Sequence, residues 1–246
     1  MARYQLLIEY VGTNFRGWQI QEKGSTIQGL IQEKLTKLLK EKIILNGSGR
    51  TDTGVHAMAQ SAHFDCQKEI TDLIKFLKSI NHFLNDQGIA IKKIKKRSSK
   101  FHSRFSAKQR IYKYIIFNQV SAPVIEKKKG WHVRKQLDID LIKKGAKKLI
   151  GTHDYSVFRA SSCHAKSPIK TIKSIKIKSS KNKIEIEFNS QSFLQQQVRS
   201  MVGCLKYLGE KKWDLKMFER VFKSKKRILC APPAPPEGLF LVRVIY

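Results

Sequence analysis

An α+β fold is what the sequence predicts, and three observations support it. Residues 184–188 alternate strictly between apolar and polar side chains, as a half-buried strand does. From Ile27 to Leu39 the apolar residues recur at helical spacing. Strand-like and helix-like segments also follow one another in a similar order in both parts of the chain. We therefore expect two similar halves of the split βαβ type, which is typical of ferredoxin-like and RRM-like domains, with mainly antiparallel sheets side by side.

The first predicted domain covers residues 1–104. Its expected strands are short apolar-rich segments at 4–10, 43–45, 55–64 and 89–94. One helix is expected from Ile27, with Ser25 or Thr26 as its N-cap, and a second from Leu73. A polar and very basic segment, residues 86–104, then leads into the second half.

The second predicted domain covers residues 105–246. Strands are expected at 110–117, 172–177, 184–188 and 238–244, with residues 179–182 as a hairpin loop. One helix is expected after Asp138, and an apolar stripe from Leu194 to Leu205 indicates another. The Pro-rich residues 231–236 exclude a helix there.

The net charge points to a polyanionic partner. The 246 residues include 49 Lys and Arg against 19 Asp and Glu, a difference of +30. Because surface lysine and arginine side chains release counterions from phosphates, nucleic acid is the expected partner, bound in a basic cleft. A compositional bias towards lysine is the alternative, but such a bias would scatter the charges without making a site.

Other classes of protein are disfavoured by composition. The chain is 41% hydrophobic, which is typical of a globular protein, and no run of about 18 apolar residues indicates a membrane span. The first residues carry no apolar stretch like that of a signal peptide. The four cysteines lack metal-site spacing. We expect a soluble cytoplasmic protein with structural thiols and no zinc.

Residues 47–57 carry the sharpest signal in the sequence. Three glycines in eight residues imply unusual backbone angles or close approach of a partner. The segment lacks the Gly-Lys-Ser/Thr of a P-loop, the third glycine of a dinucleotide fingerprint and the spaced oxygen ligands of an EF-hand. What remains is a lone carboxylate, Asp52, close to Arg50. Asp52 either caps a turn or carries chemistry, and spacing alone does not separate the two.

Residue identity favours chemistry. The run Gly-Arg-Thr-Asp-Thr-Gly-Val-His at 49–56 resembles the signature of the tRNA pseudouridine synthase A family. Further motifs similar to those of the family occur in family order: Gly-Trp-Gln at 17–19, Phe-His-Ser-Arg-Phe-Ser-Ala at 101–107, Arg-Ile-Tyr-Lys-Tyr at 110–114, Phe-Arg-Ala at 158–160, Gln-Val-Arg at 197–199 and Ala-Pro-Pro-Glu-Gly-Leu at 234–239. The resemblance therefore runs nearly from end to end.

The resemblance implies a reaction and a set of residues. The family isomerises uridine to pseudouridine at nucleotides 38, 39 and 40 of the tRNA anticodon arm, without a cofactor. Asp52 is the implied catalytic residue, in its ionised form, and Arg199 its implied ion-pair partner. Tyr112 is implied to stack on the flipped uracil, and Leu239 to form an apolar wall. Arg50 is expected to contact the RNA backbone.

The resemblance also implies a homodimer and leaves some points open. Val11, Asn85 and Lys170 stand where the family usually has Asp, Pro and Arg, which affects RNA contacts rather than the activity. Whether Asp52 attacks C1′, attacks the base or removes the C2′ proton is undecided. A non-catalytic RNA-binding protein is one alternative, although a lone acid in a basic groove would repel phosphates. A metal-dependent nuclease is another, but it needs clustered carboxylates that the sequence does not show.

Overall fold

A computed structural model describes all 246 residues and shows two compact units. Unit 1 consists of Met1–Lys108 and Phe240–Tyr246, and unit 2 of Gln109–Leu239. Both units combine strands with helices, so the predicted α+β class is confirmed. The domain boundary expected between residues 104 and 105 stays a prediction, as do the similarity of the two halves and the basic cleft.

Unit 1 contains two helices and five strands. The strands are β1 (Ala2–Tyr10), β2 (Asn46–Gly47), β3 (His56–Cys66), β4 (Ile89–Arg97) and β10 (Leu239–Ile245), the last of which begins one residue before the unit does. Helix α1 (Ile27–Leu39) starts where the Thr26 hydroxyl accepts a hydrogen bond from the Gly29 N–H, as the sequence predicts. Helix α2 (Leu73–Leu84) is capped by Asp72, whose carboxylate accepts from two backbone N–H groups.

The sheet of unit 1 places β1 at its centre. Strand order is β4-β1-β3-β10, and β2 is paired with β3. Strand β1 is antiparallel to both β3 and β4, so β3 and β4 run in the same direction on either side of it, joined by α2. Strand β10 is parallel to β3, with Phe240 opposite His56. Every second residue of β1 from Tyr4 to Tyr10 is buried, which fixes the register of the sheet.

Unit 2 contains three helices and five strands. The strands are β5 (Gln109–Asn118), β6 (Trp131–Val133), β7 (Gly151–Asp154), β8 (Ile169–Ser180) and β9 (Lys183–Ser190), and the helices are α3 (Ile139–Lys148), α4 (Gln197–Gly209) and α5 (Leu215–Ser224). The sheet has the order β5-β9-β8-β7, with antiparallel neighbours, and β6 lies parallel to β5. Asp138 caps α3 through the Leu141 N–H.

The structure corrects several predicted boundaries. Ile43 and Leu45 are buried but form no strand, because the N–H groups of these two residues donate to side chains of α1 instead of to a neighbouring strand. The β8–β9 connection has two residues rather than four, since Ser180 pairs with Lys183. Helix α4 begins at Gln197, three residues later than the apolar stripe, because Gln196 adopts a left-handed φ of 61°. None of the helices is long and apolar enough to cross a membrane.

Candidate active site

The loop that carries Asp52 joins β2 to β3 and is hydrogen-bonded to the side chain of one buried glutamine. Gln60 lies on β3 and is fully buried. Its Nε2 donates to the carbonyl of Gly49 at 2.8 Å, and its Oε1 accepts from the Ser48 hydroxyl at 2.7 Å. Ser48 also donates its backbone N–H to the Ser61 carbonyl at 2.7 Å. The two residues that precede Arg50 are therefore fixed to the sheet through buried hydrogen bonds, which are expensive to leave unmade.

A second set of contacts fixes Thr51, the neighbour of Asp52. The hydroxyls of Tyr10 and Thr51 are hydrogen-bonded at 2.8 Å in a buried position. The Trp18 N–H donates to the Thr51 carbonyl at 3.1 Å. Gly17 has a φ of +84°, and a Cβ placed on it would lie 2.6 Å from the Thr51 carbonyl oxygen. A glycine is required there, which gives the Gly-Trp-Gln motif at 17–19 a structural reason.

Asp52 occupies the first position of a tight turn. Its carbonyl accepts from the Val55 N–H at 3.1 Å, and Gly54 has a φ of +78°. The side chain of Asp52 is half-buried, while those of Arg50 and Thr53 are exposed. The turn expected from the sequence is therefore present, but it is closed by the backbone of Asp52. The turn thus presents an acid whose main chain is immobilised and whose side chain reaches the surface.

His56, at the start of β3, supports the far end of this loop. Its Nδ1 accepts a hydrogen bond from the Gly12 N–H at 3.1 Å. Its ring stacks on that of Phe240, with centroids 4.7 Å apart. His56 is 2% exposed, and these contacts anchor the end of the loop.

In unit 2, the predicted tyrosine lies on a strand with a polar and aromatic face. Arg110, Tyr112 and Tyr114 are alternate residues of β5 and are all buried. The rings of Tyr112 and Phe193 form a T-shaped pair, with centroids 5.3 Å apart and an interplanar angle of 86°. Tyr112 is 8% exposed. Phe193, which the sequence analysis did not single out, thus orients the Tyr112 ring.

The other two predicted residues of unit 2 are tied to one segment, residues 234–239. The Arg199 Nε donates to the Ala234 carbonyl at 2.8 Å, and the Ala234 N–H donates back to the Arg199 carbonyl at 2.9 Å. Tyr114 donates its hydroxyl to the Pro235 carbonyl at 2.7 Å. Burial raises the pKa of Tyr114 well above its usual value, so it remains a donor. Leu239 ends this segment and is buried.

The predicted site residues thus form two groups. Arg50 and Asp52 share a single loop of unit 1, and Tyr112, Arg199 and Leu239 belong to unit 2. The ion pair expected between Asp52 and Arg199 stays a prediction. No group of three or more His, Cys, Asp or Glu side chains is placed to hold a metal ion, and all four cysteines are free thiols.

Sequence reasoning missed the residues that hold the Asp52 loop. Gln60 and Ser61 are polar residues inside a run that the sequence predicts as a strand, and both are buried; a polar pair within such a run is the signal that could have identified them. The sequence analysis placed Tyr10 only as an aromatic residue of the predicted strand 4–10. Nothing in the spacing of the sequence indicates that its hydroxyl bonds to Thr51.

Comparison with known proteins places the chain among the isomerases that act on tRNA. A family model described as "tRNA pseudouridine synthase" matches residues 6–106 and 146–246. A protein of Pelagibacter ubique (strain HTCC1062) named tRNA pseudouridine synthase A is 72% identical over 246 residues, covering 100% of both chains. Proteins of the same name from Rhodopseudomonas palustris (strain BisA53) and Parvibaculum lavamentivorans are 40% and 38% identical, again with 100% of both chains covered. The chain belongs to the tRNA pseudouridine synthase family, as its motifs predict.

Proposed function

We propose that the protein isomerises uridines 38, 39 and 40 in the anticodon stem-loop of tRNA, with Asp52 as the catalytic carboxylate and without a cofactor. The observation that carries this proposal is the Asp52 loop. Its backbone is fixed by buried partners on both sides, and the acid itself is only half-buried in a protein with a net charge of +30. A lone acid in such surroundings has no use in plain phosphate binding, because it would repel the RNA backbone.

The reaction asks for little beyond a placed carboxylate. The N1–C1′ bond of uridine breaks, the uracil turns, and a C5–C1′ bond forms. C5 then loses its proton and N1 gains one, so that atoms and electrons balance without an oxidant or an energy source. A uridine in a stem or an ordered loop must first leave its stack to reach the acid. The immobilised main chain of Asp52 favours this chemistry, because a preorganised group needs no reorganisation in the transition state.

The remaining predicted residues take supporting roles in the proposal. Arg50 is exposed next to the acid loop, and its guanidinium suits a phosphate of the bound RNA. Tyr112 stacks on the flipped uracil and acts as the acid or base that transfers the proton at C5. Arg199 is the proposed cationic partner of the catalytic carboxylate, and Leu239 the apolar wall of the base pocket. Arg199 is hydrogen-bonded to the segment 234–239, which ends at Leu239, and this connection supports the proposal that the two residues act together.

We further propose that the protein works in the cytoplasm as a homodimer with tRNA as its partner. The family resemblance supports the dimer, and the net charge supports the nucleic acid. Equilibrium sedimentation of the free protein would test the dimer directly. A monomer at micromolar concentration would contradict it.

The activity is tested by mapping pseudouridine in tRNA. In cells that lack this protein, pseudouridine should be missing at positions 38, 39 and 40 and should return when the wild-type chain is expressed. Pseudouridine elsewhere in the same tRNAs serves as the internal control. Full modification of the three positions in the deletion strain would contradict the proposal, and loss at other positions would redirect it to another part of the tRNA.

A further inference from the structure

Phe105 lies in the loop between β4 and β5, and the activity described so far gives it no role. Its side chain is 75% exposed, although it belongs to the motif Phe-His-Ser-Arg-Phe-Ser-Ala at 101–107. Single exposed apolar side chains are common on mobile loops. The loop around Phe105, however, is tightly held, and this combination calls for a physical reason.

The base of the loop is anchored through Ser103, which is fully buried. The Ser103 hydroxyl donates to the carbonyl of Asn46 at 2.6 Å, and its N–H donates to Nδ1 of His63 at 3.2 Å. Burial, with repulsion from His102 and Arg3, lowers the pKa of His63 to about 4, so its ring is uncharged at neutral pH. Since Asn46 begins β2, which leads directly into the Asp52 loop, the Phe105 loop and the acid loop share an anchor.

The tip of the loop is closed by a second network. The His102 N–H donates to the Ser106 hydroxyl at 3.0 Å, and the Ser106 N–H donates to the His102 carbonyl at 2.9 Å. The Arg104 N–H donates to the His102 Nδ1 at 3.1 Å. These bonds hold the ring of Phe105 in solvent next to the His102 ring, at 4.4 Å between centroids. The Arg104 guanidinium lies 5.5 Å from the centre of the Phe105 ring.

The chain segment that carries Phe105 has charges of one sign. Residues 92–108 contain eight Lys or Arg side chains and no Asp or Glu. Arg97, Lys100, Arg104 and Lys108 are all exposed. An apolar ring kept in water within such a segment is typical of proteins that bind unstacked nucleic acid, because the cations bind the phosphates and the ring face binds a base.

We propose that Phe105 is a stacking surface for one unstacked nucleobase of the bound tRNA, with Arg104 at a neighbouring phosphate. The proposal rests on the proposed function in that tRNA is the substrate, that the target uridine leaves its stack and that several positions are modified. Extrusion of the target uridine leaves the neighbouring bases without one stacking partner, and an exposed phenyl ring replaces that partner. The stacking contact is sequence-tolerant because every base has a π-face, which suits an enzyme that modifies several positions.

The test measures the affinity of Asp52→Asn protein for an unmodified tRNA transcript, so that no turnover occurs. Adding Phe105→Ala should weaken binding about tenfold, within the range measured for loss of a base–aromatic stack, and leave the salt dependence unchanged. Arg104→Ala should instead lower the log–log salt slope by about one. Phe83→Ala is the matched control, because Phe83 is a partly exposed phenylalanine of unit 1 with Lys37 at 5.7 Å from its ring. It should leave affinity unchanged.

Two further measurements separate stacking from other roles of an exposed ring. Phe105→Trp should retain affinity, and its added fluorescence should be quenched by the tRNA transcript but not by a fully paired RNA duplex. Equal affinity of the Phe105→Ala and Phe83→Ala proteins for tRNA would overturn the proposal. A Phe105→Ala protein that dissociates into monomers at unchanged affinity would also overturn it, in favour of a contact between copies. Only binding is measured in these experiments. Turnover by the Asp52→Asn protein would contradict the proposed function, whereas equal affinity of the two alanine variants would contradict the stacking contact.

Discussion

The loop that carries Asp52 and the segment 234–239 are both irregular, but different forces hold them. The first is fixed by buried polar side chains, with Gln60 and the Tyr10–Thr51 pair as its main supports. The second is fixed by four prolines in or beside it, which restrict φ, and by bonds from Arg199 and Tyr114 to its carbonyls. The geometry of the acid therefore depends on a few buried hydrogen bonds, whereas the geometry of the segment is largely built into its backbone.

The largest effect that would sharpen this contrast is expected from Asp52→Asn. The substitution keeps size and polarity but removes ionisation, so isomerisation should be abolished while tRNA affinity stays near that of the wild type. Release of tritium from C5-labelled uridine in tRNA reports the reaction. Thr53→Ala, an exposed neighbour in the same turn, is the control and should remain active. Turnover of the Asp52→Asn protein near the wild-type rate would show that the loop holds a structural acid.

The next effect concerns Tyr112 and separates stacking from proton transfer. If its hydroxyl moves the C5 proton, Tyr112→Phe should lose about 10²–10⁴-fold in single-turnover rate, nearly as much as Tyr112→Leu. If the ring only stacks, Phe should be nearly neutral and Leu should lose roughly ten- to a hundredfold. We expect the first result. Tyr114→Phe, two residues away on the same face of β5, is the matched control for removing a hydroxyl.

A smaller effect is expected on the free energy of unfolding, which tests whether the Asp52 loop depends on buried hydrogen bonds more than the segment 234–239 does. Gln60→Leu leaves the Gly49 carbonyl and the Ser48 hydroxyl without their buried partner, which should lower the free energy of unfolding by about 2–3 kcal/mol. Tyr114→Phe removes one bond to Pro235 and should cost about 1 kcal/mol. Urea unfolding measures both. Gln60→Leu should also slow the single-turnover rate at saturating tRNA, and an unchanged rate would contradict the role of Gln60 in placing the acid.

The smallest effects are expected from surface charge, compared between the units. Replacing the exposed lysines Lys93, Lys95 and Lys100 of unit 1 by serine should weaken tRNA binding and reduce the log–log salt slope by up to about three. The same number of changes in unit 2, among residues 223–226, should act similarly. The single-turnover rate at saturating tRNA should not change. Affinity that does not depend on salt would mean that the charge of +30 reflects composition alone.

The parts of the fold that the sequence predicts are those where one local signal decides. Thr26 and Asp138 cap helices as expected, and the alternation at 184–188 lies within β9. Helix α5 was not predicted, although its apolar residues Phe218, Val221 and Phe222 are buried at helical spacing, because the surrounding lysines mask a stripe so short. The position of Asp52 was evident from its motif. The polar contacts that hold its loop join residues 11, 12 and 41 positions apart, and no local pattern shows which residues pair.

Strand β10 has a consequence for the order in which the molecule is made. It pairs with β3, where Phe240 supports His56 at the end of the acid loop, and Tyr246 donates to Ser61, 185 positions earlier in the chain. During synthesis on the ribosome, the whole of unit 2 emerges before these contacts can form. Until then, the His56–Ala57 end of β3 lacks its β10 partner, and an unpaired strand edge is one that other chains can pair with. The acid loop therefore acquires its last structural support only after the rest of the chain has been made.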